Sequence, residues 1–248
     1  QFKHAMEKEF MDQYNNSDFI LIKQDQVPKG EPIFPGVWAM RRKRKSLTGE
    51  VYKWKAHYNL DGSKQEDFYQ TYAPVAMWAS IHLLLTLSIQ HKWSTKQIDF
   101  MQAFPQVPIS RTQYMEMPKG IIMEGYDSSE YVLELHKNIY GGKDVGRTWN
   151  KYLMNKLTDI DFIPSKVDEC VFYKGHVMYV LYTDDSTLAG PHEDELESII
   201  HQMKAAGLDL MDEGMVDDFL GVHTNRSNGQ YHLSPPKLIA SILEEVQL

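Results

Sequence analysis

The stretch VMYVLYTDDSTLAG, Val177 to Gly190, decides how this 248-residue chain is read. Met178 to Tyr182 run into Asp184-Asp185, and Ser186 to Ala189 run out of it, the pattern of two apolar strands joined by a two-residue connection. Aspartate suits a turn because its short carboxylate hydrogen-bonds nearby backbone amides. Two adjacent carboxylates on a rigid turn also repel each other, and a cation between them removes that repulsion. The pair fits either a solvated turn or half of a cation site. Upstream, Gln97-Ile98-Asp99-Phe100 reads as the end of another strand, turned by Ala103-Phe104-Pro105, so Asp99 is a second strand-end aspartate.

Around these segments the chain alternates helices and hairpins. Val37–Arg42 and Val51–Tyr58 pattern as strands joined by Ser46-Leu47-Thr48-Gly49. Ser80 is placed to cap a helix whose Ile81, Leu84, Leu85 and Ser88 share one face. Tyr114–Met117 and Tyr131–Leu135 are short strands. The glycine-rich Tyr140–Arg147 leads into a helix carrying Trp149, Tyr152, Leu153 and Leu157. Those glycines serve either a flexible loop or a close backbone approach to a phosphate. Glu193–Ala206 is an amphipathic helix stopped by Gly207, Phe219–Val222 is expected to pair with Tyr231–Leu233, and Ser234-Pro235 opens a last helix. Residues 1–36 are polar and weakly patterned, helical in part at Ala5–Tyr14, and read as a lead-in. The order implies an α+β chain whose antiparallel sheet is covered by helices on one side.

Composition narrows the class. Hydrophobic residues make up 42% of the chain, enough for a proper core. No run approaches the roughly 18 apolar residues of a membrane span, and charges among the first residues break any signal-peptide pattern, so neither a membrane partner nor secretion is expected. The single cysteine, Cys170, lies in an apolar run, where core packing suits it better than nucleophilic chemistry. The net charge of −8 hides a concentration of cations: between Val37 and His57 stand Arg41, Arg42, Lys43, Arg44, Lys45, Lys53 and Lys55 against Glu50 alone. Such a patch suits a polyanion, a solvated strand face or a nuclear-import address. Three aspartates, Asp99, Asp184 and Asp185, can converge on a sheet surface and hold two Mg²⁺ ions about 3.5–4 Å apart, the arrangement for phosphoryl transfer. Their spacing along the chain is equally compatible with one metal or with none.

Tyr182-Thr183-Asp184-Asp185 resembles the tyrosine-x-aspartate-aspartate box of reverse transcriptases. Further blocks, in order, resemble the polymerase of copia-type LTR retrotransposons: Lys53–Asn59, Tyr72-Ala73-Pro74-Val75, Gln97-Ile98-Asp99 through Phe104, Tyr114-Met115-Glu116-Met117-Pro118-Lys119-Gly120, Leu135–Trp149 and Phe219-Leu220-Gly221. The resemblance covers residues 37–248. It implies a right-hand polymerase with 37–95 mainly as fingers, 96–233 as palm with part of the fingers inserted, and 234–248 as the start of a connection to a truncated thumb.

On the same resemblance, the catalytic and metal-binding carboxylates would be Asp99, Asp184 and Asp185, with two Mg²⁺ ions or Mn²⁺ in their place. The nucleotide would meet Lys55, His57, Phe100, Met101, Gln102, Ala103, Phe104, Tyr140 and Lys143. Phe104 would lie under the sugar and exclude a 2′-hydroxyl, and backbone amides from Phe100 to Ala103 would cradle phosphate oxygens. Template and primer would meet Gly141, Arg147, Tyr182, Thr183, Phe219, Leu220 and Gly221. The implied activity is RNA-directed DNA synthesis from dNTPs on an RNA template with a DNA or RNA primer. RNase H and integrase domains of one polyprotein are implied partners, in a cytoplasmic virus-like particle or in the nucleus.

The chain also departs from the family pattern. Lys55-Ala56-His57 stands where Lys-Ala-Arg is usual, so an imidazole replaces a fixed cation. Asp144-Val145-Gly146 stands where Gln-Ala-Pro is usual, and Pro105 and Thr183 replace commoner Leu and Val. A catalytically decayed nucleic-acid-binding remnant is therefore one alternative, and a metal-dependent nuclease with clustered aspartates another.

Overall fold

The computed structural model describes residues 1–44, 50–65, 70–183, 185–216, 218–219, 222–227 and 230–246. The chain divides into two compact units, Gln1–Tyr72 with Phe104–Trp149, and Ala73–Ala103 with Asn150–Leu248. Among the described residues no helix is long and apolar enough to cross a membrane.

The first unit is built on a four-stranded sheet in the order Phe19–Lys23, Tyr131–Lys137, Pro108–Glu116, Ile33–Phe34. Its last pair is parallel and the others are antiparallel. Gly36–Arg44 and Val51–Leu60 form the expected antiparallel hairpin, and the expected turn at 46–49 lies outside the described residues. Residues 1–36 are not peripheral to this unit. The helix Phe2–Asn15 and the strand Phe19–Lys23 supply the buried Phe10 and Phe19, which join Tyr58, Leu60, Met115, Leu133 and Leu135 in one core. Burying large aromatic rings is the main driving force for docking such a helix, since each removes 150–250 Å² of mostly apolar surface from water.

The second unit carries a six-stranded antiparallel sheet in the order Leu210–Gly214, Ser94–Phe100, Asp185–Gly190, Val177–Tyr182, Val171–Lys174, Ile163–Pro164. Alternate residues of a strand face opposite sides, and cross-strand partners share a side. Val180 and its partner Thr187 line an apolar crevice with Ile81, Leu84 and Leu85 of the helix Trp78–Gln90. On the other side, Lys96 reaches Glu193 and Glu197 of the helix Glu193–Ala205, at 3.2 and 3.5 Å. The sheet is thus covered by helices on both faces, which corrects the expectation of helices on one side. The reason lies in the strand Val177–Tyr182, whose first five residues are all buried; a strand with one wet face would alternate.

Three local readings also change. Ser80 lies inside the helix Trp78–Gln90 and not at its N-cap, which is Met77; its hydroxyl donates to Asp168 at 2.6 Å. Thr183 is a turn residue and Asp185 is already in the outgoing strand, paired with Tyr182, while Asp184 lies outside the described residues. Phe219 pairs with Val222, whose strand Val222–Ser227 then pairs with Gln230–Ser234; the sequence had suggested direct pairing of Phe219–Val222 with Tyr231–Leu233.

Candidate active site

Asp99 ends the strand Ser94–Phe100, and the register places it directly opposite Asp185 on the neighbouring antiparallel strand. Tyr182 faces Asp185 from the third strand, and Met211 faces Asp99 from the fourth. Tyr182, Asp185, Asp99 and Met211 therefore stand on one rung across four strands. Directly opposed residues have Cα atoms about 4.5–5.5 Å apart and side chains on the same side of the sheet. Two carboxylates so placed destabilise the pair of strands, and a divalent cation offsets that cost with the oxygen ligands that Mg²⁺ and Mn²⁺ prefer. The residues fit such an ion. Among the described residues no three His, Cys, Asp or Glu side chains gather in one group, and Asp184 lies outside the described residues.

Backbone strain flanks this rung in sequence. Thr183 has φ of 59° and Gln102 has φ of 47°, left-handed values that cost a residue with a side chain about 1–3 kcal/mol. Thr183 is β-branched, for which this region is most unfavourable. Of the other residues after Asp99, Phe100 and Ala103 are buried, Phe100 on the sheet face opposite Asp99, while Met101 is exposed and its amide donates to the Asp209 carbonyl at 3.0 Å. The Met101 amide is thus committed to the protein, unlike the phosphate-cradling role read for it. Phe219 stands on the separate three-stranded sheet of this unit, and Leu220 and Gly221 lie outside the described residues.

The remaining predicted residues belong to the first unit. His57, Tyr140 and Phe104 form a line of rings, with centroids 5.1 Å apart for His57 and Tyr140 and 4.8 Å for Tyr140 and Phe104. Lys55 lies two residues before His57 on the same face of its strand, opposite Arg41. Lys53 opposes Lys43 on that face, so four cations of the hairpin share it. Like charges opposed across strands cost stability, which a polyanion would relieve.

Gly141 and Lys143 sit on a loop joined to Leu60–Gln65. The Leu60 amide donates to the Tyr140 carbonyl at 2.8 Å, the Lys143 amide donates to the Gln65 side chain at 2.8 Å, and Lys143 Nζ donates to the Gln65 carbonyl. A Cβ on Gly141 would overlap the Leu60 carbonyl oxygen and one on Gly62 would overlap the Gly141 carbonyl oxygen. At Gly62 and Gly141 backbone meets backbone, so the glycine at 141 is required by the Leu60 carbonyl. Arg147 Nη2 donates to Gln70 Oε1 at 2.7 Å.

Sequence reasoning missed Glu9. Its Oε1 accepts from His57 Nδ1 at 2.9 Å and from Gln13 Nε2 at 3.1 Å. The available signal was the spacing of Met6, Phe10 and Tyr14, which marks an apolar helix face beside Glu9 and Gln13.

Residues 19–248 match the family model described as Reverse transcriptase (RNA-dependent DNA polymerase). The Retrovirus-related Pol polyprotein from transposon RE1 of Arabidopsis thaliana is 27% identical over an alignment that covers 100% of this chain and 17% of that protein. The corresponding polyprotein from transposon TNT 1-94 of Nicotiana tabacum is 24% identical, covering 100% of this chain and 19% of that protein. This chain thus spans less than a fifth of the length of either. A solved structure of the foamy viral protease-reverse transcriptase dRH in complex with ds DNA superposes with a TM-score of 0.56 at 15% identity, covering 99% of this chain and 36% of that one, a likeness of fold. The chain therefore belongs to the reverse transcriptase (RNA-dependent DNA polymerase) family and is homologous to the Pol polyproteins of copia-type retrotransposons.

Proposed function

We propose that this chain performs RNA-directed DNA synthesis, joining dNTPs to a primer 3′-hydroxyl on an RNA template as one part of a retrotransposon polyprotein. The observation that carries the reading is the pairing of Asp99 with Asp185 on one rung of the antiparallel sheet, in a chain of this family. Asp99 and Asp185, with Asp184, would hold two Mg²⁺ ions, whose chemistry is to lower the pKa of the primer hydroxyl and neutralise the departing pyrophosphate.

The chain's own side chains do the rest. Tyr182 and Thr183 support the primer end, with Thr183 held at a φ of 59°. Lys55, His57 and Lys143 face the triphosphate, while Phe104, backed by Tyr140, lies under the sugar and discriminates against a 2′-hydroxyl. The cationic hairpin face, with Arg147 and Gly141, borders the template strand, and Phe219 to Gly221 grip the primer. In this reading residues 37–95 are mainly fingers, 96–233 palm with part of the fingers inserted, and 234–248, which include the helix Pro236–Glu245, the start of a connection to a thumb. RNase H and integrase regions of the same polyprotein are the expected neighbours.

Primer extension on an RNA template with Mg²⁺ or Mn²⁺ tests the proposal. The wild-type chain is expected to extend and Asp99→Asn and Asp184→Asn to lose extension by at least about a hundredfold, as for loss of a group acting in the transition state. Cleavage without extension would point to a nuclease, and template binding without extension to a decayed remnant.

A further inference from the structure

The helix Phe2–Asn15 precedes the residues matched by the family model, yet it touches one of the side chains read above as facing the nucleotide. Glu9 is seated between two partners. Its Oε1 accepts from Gln13 Nε2, one turn along the helix, and from His57 Nδ1 on the hairpin strand. The Glu9 side chain is only 13% exposed, so few other groups can compete for it. A carboxylate has no proton to give, so this contact requires hydrogen on Nδ1 and leaves Nε2 as the nitrogen available to a ligand. The imidazole held in this way lies against Tyr140, and Tyr140 against Phe104.

We propose that Glu9, steadied by Gln13, is a positioning residue for the nucleotide site: it holds His57 against Tyr140 and so fixes Phe104, the ring under the incoming sugar. The inference rests on the nucleotide-facing role given above to His57, Tyr140 and Phe104. Simple attachment of the helix does not by itself explain Glu9, because Phe10 already anchors that helix in the core. What Leu could not do is accept the Nδ1 hydrogen. Gln could.

The test is steady-state primer extension by wild type, Glu9→Leu and Glu9→Gln, with melting temperatures measured alongside. Glu9→Leu is expected to raise KM for dTTP about tenfold, with kcat within about twofold, because a misplaced binding group costs affinity before chemistry; the melting temperature is expected to fall by a few degrees as the buried Gln13 loses its acceptor. Glu9→Gln is expected to restore KM to near the wild-type value. An unchanged KM in Glu9→Leu, or a raised KM that Glu9→Gln does not restore, overturns the inference. If wild type does not extend primers, the polymerase reading fails, and the equilibrium Kd for dTTP decides this inference separately. Weaker binding by Glu9→Leu then upholds it, and equal binding, or none by wild type, overturns it.

Discussion

Asp99 and Asp185 stand directly opposite each other on adjacent antiparallel strands, so their carboxylates share one side of the sheet. Opposed like charges destabilise a strand pair by roughly 0.2–1 kcal/mol. In the presence of a chelator, Asp185→Asn is expected to raise the unfolding free energy by about that amount, and added Mg²⁺ is expected to stabilise wild type but not the variant. Chemical denaturation with and without Mg²⁺ reads both effects. A variant less stable than wild type in chelator would show that Asp185 serves the fold.

The loop at Gly141 is expected to be intolerant of any side chain. Gly141 has φ of 94°, and its Cβ position is taken up by the Leu60 carbonyl. Gly141→Ala should cost about 2 kcal/mol or more, since strain and overlap add. A urea midpoint unchanged from wild type would contradict this.

Asp168 ties the start of the helix Trp78–Gln90 to the loop before Cys170. Its carboxylate accepts from the Met77 amide at 3.0 Å, the Ser80 hydroxyl at 2.6 Å and the Cys170 amide at 2.9 Å, and it is buried. Asp168→Ala leaves all three donors without that acceptor and should cost about 2–4 kcal/mol. Amide exchange at Met77 and Cys170 should rise with it; exchange that stays slow would show that other acceptors suffice.

Much of this architecture was legible in the sequence, and the rest was not for physical reasons. The hairpin around Asp184-Asp185, the strand ending at Asp99, and the helix faces of Leu84 and Leu196 all follow from local periodicity. The pairing of Asp99 with Asp185 was expected only as one possible convergence, because periodicity assigns a residue to a strand but not a strand to a neighbour. Coverage of both sheet faces was missed although the uninterrupted apolar run Met178–Leu181 signals it. The Glu9–His57 contact joins residues far apart in sequence through two polar groups, and hydropathy carries no record of such a bond. Gly141 was read as loop or phosphate cradle because its true constraint, the Leu60 carbonyl, exists only in the folded chain.

Alkaline pH should destabilise the second unit through Cys170. Burial, reinforced by the charges of Asp168 and Glu169, pushes its thiol from 9.0 up to about 12. Between these values the unfolded chain releases a proton that the folded chain keeps, so stability that is complete below pH 9 falls as the pH rises toward 12. Tyr179, whose hydroxyl is also pushed up by burial, acts in the same direction. Urea midpoints between pH 8 and 10.5 should decline on this account, and Cys170 should resist iodoacetamide at pH 8 until the chain unfolds. Equal alkylation rates for folded and unfolded protein would refute it.

The central claim is that Asp99 and Asp185 hold a divalent cation together, and a Mn²⁺ titration followed by water-proton relaxation tests it without requiring catalysis. Wild type is expected to bind Mn²⁺, with affinity reduced at least about tenfold in Asp99→Asn and in Asp185→Asn, and no further large loss when the two are combined, as for ligands of one site. Equal Mn²⁺ affinity in wild type and both single variants would contradict the account.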